Sequence, residues 1–167
     1  QRGVVLAIYV ADCLAIFLHH RARPGVGVGH AGWRGLAADL PGAMVRTALA
    51  AWGGEGSDLS CALSPCIEAC CFEVGEEVAE VFADLPGAVD RSRPRPHVDM
   101  RQVARAQLQA AGVPSEQIRD LPGCTRCQPQ RFASYRWDPQ RCGRNLALIA
   151  LSPVGVGVAW GVSQDRD

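Results

Sequence analysis

The sequence contains no lysine; all 17 of its basic residues are arginine. That excludes Schiff-base catalysis, a phosphate-loop lysine and a lysine general base, and leaves any phosphate recognition to guanidinium and backbone groups. Excess charge is absent as well. The 17 arginines are matched by 17 Asp and Glu, for a formal net charge of zero, which argues against a nucleic-acid arm or a patch for anionic membranes. No stretch reaches the ~18 consecutive apolar residues a membrane-spanning helix needs. The apolar stretch from Val4 through Leu18 is interrupted by Asp12. A charged lead followed by an apolar core and a cleavage site is also missing, so no signal peptide is visible and a cytoplasmic location is expected.

What is present is a 167-residue chain with 48% hydrophobic residues, 18 Gly, 11 Pro and 8 Cys. Length and composition suit one globular domain. The chain opens at Gln1 directly into an apolar strand pattern, which reads as a fragment or a truncated reading frame. An even cysteine count can mean a disulfide framework, but nothing here points to secretion. Cys124-Thr-Arg-Cys127 is a CxxC, and its only candidate partners for a structural zinc knuckle are Cys66 with Cys70 or Cys71. A thioredoxin-type redox role is disfavoured because Pro129 and its polar surroundings read as a loop.

Apolar runs predict strands at Gly3–Val10, Leu14–Leu18, Val26–Gly29 and Leu59–Leu63, a short one at Gln117–Leu121 and a strong one at Asn145–Leu151. Fourth-residue spacing of Leu36, Leu40, Met44, Ala48 and Trp52 predicts a helix over 35–52, bent or restarted at Pro41. Helices are also predicted over 73–82 and 100–111, the second closed by Gly112. The stretch 122–144 reads as irregular, and 152–167 as a tail that is either a last strand or loose. The order of elements gives an α/β or α+β fold with a mixed sheet.

Three stretches can carry chemistry. They are Ala11-Asp12-Cys13-Leu14, Gly29-His30-Ala31-Gly32-Trp33-Arg34-Gly35, and Cys124 to Cys127 running on to Arg131–Arg136. Gly27-Val28-Gly29-His30-Ala31-Gly32 spells the dinucleotide fingerprint G-x-G-x-x-G, with Glu55 downstream for a ribose. The histidine inside it and the hairpin-like strands around it count against that reading. His30-Ala31-Gly32 followed by Pro65-Cys66 approaches the zinc nucleobase deaminase signature. There Gly32 stands in place of the required glutamate, and the cysteine spacing is one residue too long. Cys13 and His30 lie at the ends of neighbouring strand patterns, where thiol and imidazole can meet. The pair suits two metal ligands, a Cys–His nucleophile dyad, or a structural cysteine beside a satisfied core histidine.

The ordered set Ala-Asp-Cys-Leu, His-Ala-Gly-Trp-Arg-Gly-Leu, Phe72-Glu73-Val74-Gly75-Glu76-Glu77-Val78, Cys124-Thr-x-Cys127, Arg131-Phe132-x-Ser-Tyr-Arg136 and Gly143-Arg144 resembles one family. It is the laccase-domain family of multicopper polyphenol oxidoreductases, whose members are also described as purine nucleoside phosphorylases and peptidoglycan editing factors. The resemblance covers about Val4 to Leu151. It implies an α+β fold layered α/β/β/α with mixed sheets, a single domain over 1–151 lacking an amino-terminal segment, and a tail over 152–167. It further implies a metal held by two histidines and one cysteine. Cys13 and His30 match two of those ligands and serve as the catalytic residues. The third ligand belongs to a segment before the Ala-Asp-Cys motif that this sequence does not contain, and His19, His20 and His97 do not match it.

The implied activity is zinc-dependent phosphorolysis of purine nucleosides (adenosine, inosine, methylthioadenosine), with adenosine deamination beside it. Arg34, Tyr135 and Arg136 are the candidates for nucleoside or phosphate contacts. Zinc suits one thiolate with imidazoles better than copper does, and four histidines are too few for a laccase. The alternatives are a metal-free Cys–His hydrolase of peptidoglycan precursors, a copper polyphenol oxidase and an inactive truncated paralogue. The sequence departs from the family pattern at Ala15, at Ser64–Glu68 and at Arg136-Trp137. Expected partners are a purine nucleoside and phosphate, with neither nucleic acid nor membrane.

Overall fold

The computed structural model describes residues 3–152 and 155–163. Strand β1 (Val5–Val10) turns through Asp12 and Cys13 into β2 (Leu14–His20), and β3 (Val26–Ala31) returns beside it. Helices α1 (Trp33–Ala37) and α2 (Leu40–Trp52) follow, then β4 (Leu59–Leu63) and the one-turn helix α3 (Glu76–Ala79). The two-residue strands β5 (Val89–Asp90) and β6 (His97–Val98) lead to α4 (Met100–Ala110) and β7 (Ile118–Asp120). After a long irregular stretch, β8 (Arg144–Ser152) and β9 (Gly155–Ser163) end the described chain.

Two main sheets result, one ordered β3-β2-β4-β7 and the other β1-β8-β9, with β5 and β6 paired apart from them as a two-stranded ribbon. The first is mixed, because β4 and β7 run parallel while β2 is antiparallel to both β3 and β4. The second is antiparallel throughout. Alternation along β2 sends Leu14, Ile16 and Leu18 into one core and Ala15 and Phe17 into another. The first core is filled by Leu36, Val45, Val78, Val103 and Leu108 from the four helices. The second lies between the sheets, against Val10, Ala147 and Ile149. Helices on sheet on sheet give the layered α+β architecture with a mixed sheet that the sequence implied. Among the described residues the helices bury their apolar faces on the first sheet. On the outer face of the second, Val5 and Tyr9 each stand 58% exposed.

The predicted helix over 35–52 is two helices. Asp39 adopts a left-handed conformation (φ 54°) and caps α2, its carboxylate accepting from the Gly42 amide, while Pro41 sits in the first turn. The expected helix over 73–82 shrinks to Glu76–Ala79 with a 3-10 turn behind it. Its first residues are drawn elsewhere, since Glu73 bridges His97 and the Val74 amide bonds the Pro96 carbonyl. The helix over 100–111 appears as α4, capped by Asp99, with Gly112 beyond it at φ 94°. Of the two readings of 152–167, a last strand is found over Gly155–Ser163, and 164–167 lie outside the described residues.

The apparent dinucleotide fingerprint is a packing device. Gly29 lies in β3 beneath Met44, where a Cβ would collide with the thioether, and Gly25 lies just as close under Trp52. These glycines let α2 settle on the sheet, so Gly29→Val is expected to cost about 1–3 kcal/mol by overpacking. A lowered urea midpoint at unchanged m-value checks this.

Candidate active site

The β1–β2 turn carries the chain from one sheet to the other. Asp12 makes it possible with φ 69°, a left-handed conformation that Asp tolerates better than most residues. Its carboxylate is buried and doubly bonded, accepting from Thr125 Oγ1 at 2.6 Å and from the Arg136 amide at 2.7 Å. Its carbonyl accepts from the Ile67 amide at 2.9 Å. One side chain thus ties the turn to the irregular stretch that follows β7.

The register of β2 and β3 sets the next residues. Ala15 faces His30 and Leu14 faces Ala31, which places Cys13 opposite Gly32. Cross-strand partners share a face, so Cys13, Ala15, His30 and Gly32 lie on the same side of the sheet, with Cys13 diagonal to His30. Gly32 is needed there, because a Cβ at that position would sit 3.0 Å from the Cys13 sulfur. Cys13 is half-buried against the inter-sheet core, and His30 is exposed on the edge strand. The register therefore sets the two residues that the sequence paired on one face, as diagonal neighbours.

Their electrostatics differ. Burial pushes the Cys13 thiol above its ordinary value, and the charge of Asp12 adds to the rise. Partial desolvation lowers the His30 imidazole, which favours its neutral form. A neutral imidazole and a thiol on one face suit a thiophilic divalent cation as two donors of a set that needs at least three. A thiol raised in this way is a poor free nucleophile.

Tyr135 and Arg136 reach the same neighbourhood through the Asp12–Arg136 bond. Tyr135 is 56% exposed. The Arg136 guanidinium donates to the Glu73 carbonyl at 2.9 Å and lies 5.4 Å over the Phe72 ring. Arg34 is exposed in α1 with its guanidinium 4.4 Å over the ring of Trp33. Among the described residues no hydrogen bond or ion pair joins Arg34 to Tyr135 or Arg136. Asn145, at the start of β8, pins the same stretch by exchanging two 2.9 Å bonds with the Ala133 backbone.

Two supporting residues were missed by sequence reasoning. Asp12 shows in the sequence only as a member of the Ala-Asp-Cys motif. Arg101 gave none, since it reads as an ordinary polar position of α4. In the structure it is nearly buried and binds the carbonyls of Ser64, Leu121 and Gly123 and, at 2.7 Å, the Glu68 carboxylate. Of the remaining cysteines, Cys61 and Cys66 are buried, and burial pushes both thiols up to about 12. Contrary to the expectation from sequence, Cys66 does not join the CxxC sulfurs. Cys66 pairs with Cys124 through backbone only, and the sulfurs that gather around Cys124 and Cys127 belong to Cys70 and Cys71.

A family model described as multi-copper polyphenol oxidoreductase laccase matches residues 1–152. Curated relatives include the mouse purine nucleoside phosphorylase LACC1, 33% identical over 90% of this chain and 36% of its own length. The Bacillus subtilis purine nucleoside phosphorylase YlmD is 30% identical over 90% of this chain and 56% of its own. A protein named adenosine deaminase RL5, from an unknown prokaryotic organism, is 36% identical over 89% and 58%. Among solved structures, the Bacillus licheniformis hypothetical protein YfiH superposes with a TM-score of 0.85 at 29% identity, covering 91% of this chain and 59% of that one. YlmD from Geobacillus stearothermophilus superposes at 0.81 and 33%, covering 90% and 58%. The chain thus spans little more than half the length of the bacterial relatives it matches and about a third of the mouse one.

Proposed function

Because this chain belongs to the multi-copper polyphenol oxidoreductase laccase family, we propose that it forms the core of a metal-dependent purine nucleoside phosphorylase. The observation that carries the reading is the shared face of Cys13 and His30 beside Gly32. It is supported by relatives named as purine nucleoside phosphorylases and one named as an adenosine deaminase.

Cys13 and His30 would hold the metal, with a third ligand, on the family resemblance, from a segment before Ala11 that this sequence does not contain. A divalent ion bound there supplies Lewis-acid charge beside the substrate. In phosphorolysis a phosphate oxygen bonds to the ribose anomeric carbon as the bond from that carbon to the purine nitrogen breaks, and the base leaves with the electron pair and takes up a proton. The chain's own residues have to hold phosphate against an electron-poor sugar and keep water out. Arg34 and Arg136 suit phosphate, since guanidinium pairs with it bidentately. Tyr135 offers an exposed ring and hydroxyl for the nucleoside. One Nη of Arg136 is engaged by the Glu73 carbonyl, which leaves the remaining guanidinium donors for phosphate.

The metal-free cysteine hydrolase is disfavoured, because burial and Asp12 hold the Cys13 thiol protonated and no cation contacts it among the described residues. Oxidative copper chemistry has only four histidines to draw on. The full chain supplied with adenosine, with and without phosphate, separates the remaining activities. Phosphorolysis releases adenine and ribose 1-phosphate only with phosphate; deamination releases ammonia and inosine regardless. Neither product at any metal loading would reject the reading.

A further inference from the structure

Half of the eight cysteines meet at one point outside the Cys13–His30 face. Cys70 and Cys71 sit on the turn after Ile67, and Cys124 and Cys127 lie in the stretch after β7. All four sulfurs fall within 4.8 Å of one another. Cys70 and Cys71 are 3.7 Å apart, Cys70 and Cys127 3.7 Å, and Cys71 and Cys127 3.3 Å. Four thiolates around one zinc at ~2.3 Å would stand about 3.8 Å apart along the tetrahedron's edges. The observed spacings are those of such a shell before it closes. They exceed the ~2.05 Å of a disulfide, and all four cysteines are free.

The frame for this cluster exists without metal. The two loops bridge at Cys66 and Cys124, with the Thr125 amide bonding the Cys66 carbonyl at 3.0 Å. Arg101 ties both loops through Ser64 and Glu68 on one and Leu121 and Gly123 on the other. The Glu68 amide points at the Cys124 sulfur at 3.5 Å, the kind of N–H contact that steadies a ligating thiolate. Two cations stand close by. Arg126 lies near the Cys71 sulfur, and Arg93 donates to the Cys70 carbonyl at 3.0 Å. They offset the charge of −2 that zinc with four thiolates carries.

We propose that Cys70, Cys71, Cys124 and Cys127 form a structural zinc site separate from the Cys13–His30 site. Binding replaces four S–H bonds by four Zn–S bonds and releases four protons, with no change in oxidation state. Four protein thiolates leave no open position, so the metal clamps the two loops and does not act on substrate. The clamped stretch includes Thr125, which bonds Asp12 beside Cys13, so the site stiffens the support of the other one. The proposal does not depend on the phosphorylase reading.

The test is zinc stoichiometry of the full chain, purified without chelator or added metal. The wild type, a Cys13→Ala/His30→Ala variant and a Cys70→Ser/Cys127→Ser variant are compared by mass spectrometry of the metal. One tightly held zinc is expected to survive in the Cys13/His30 variant and to be lost from the Cys70/Cys127 variant. Should the latter not fold, cobalt exchanged into the Cys13→Ala/His30→Ala variant replaces it, with the absorption of tetrahedral cobalt bound by four sulfurs expected. A wild type or Cys13/His30 variant without zinc, a Cys70/Cys127 variant that keeps it, or a disulfide among these four cysteines in the unreduced protein overturns the proposal.

Discussion

Cys13→Ala is expected to lower phosphate-dependent nucleoside cleavage by the full chain on the order of 10³-fold while leaving the thermal midpoint within a few degrees. On the proposed function activity falls because the thiolate would be a metal donor, with His30 as the other one on this face among the described residues. Stability is spared because the side chain is half-buried and alanine fits opposite Gly32 with room to spare. The same geometry fixes a pH dependence. The Cys13 thiol is raised and must give up its proton to bind metal, whereas His30 is lowered and already neutral near pH 7. Metal affinity at this pair is therefore expected to climb as pH rises through neutrality, about tenfold per unit for the single proton released. Metal titration at several pH values reads that slope. A slope of zero would mean that Cys13 is not a ligand.

The largest loss of stability is expected from Arg101→Met. Arg101 satisfies three backbone carbonyls and the Glu68 carboxylate from a nearly buried position. Methionine keeps much of the aliphatic stem but leaves those acceptors unpaired. Losing several charge-assisted bonds at a buried site costs about 3–5 kcal/mol, on the order of 10 °C in thermal midpoint for a chain of this size. Arg105 is the internal comparison. It lies one turn further along α4, bonds the Ile118 carbonyl at 3.1 Å and pairs with the 40% exposed Asp120. Arg105→Met is expected to cost about 1 kcal/mol. Equal losses at the two positions would show that Arg101 is not the clamp between the two loops.

The contrast between these arginines marks what sequence can and cannot convey. The run Leu14–Leu18 announces a strand because a strand buried between two layers has few polar options, and Asn145–Leu151 announces one by its unbroken apolar run. Pro41 announces the restart of a helix because its ring cannot continue one. The length of α3 was not legible, since Glu73 and Val74 answer to His97 and Pro96, about two dozen residues on, and not to their own helical period. Cys13 and His30 were legible as residue types at strand ends, and the family resemblance singled them out. The roles of Asp12 and Arg101 were not, because every bond that defines them crosses to a distant loop. The cysteine cluster was half legible. The CxxC was plain, but whether Cys66, Cys70 or Cys71 faces it depends on a backbone bridge that turns the Cys66 side chain into the core.

On the proposed function, a purine nucleoside meets phosphate at the face that Cys13 and His30 share. The measurement that bears on it most directly is inosine cleavage by the full chain, wild type against His30→Ala, followed by simultaneous quantification of hypoxanthine and ribose 1-phosphate. Equal amounts of the two products are expected from the wild type, with a rate that saturates with phosphate and loss of both in His30→Ala at an unchanged thermal midpoint. Full product formation by a folded His30→Ala protein would contradict it.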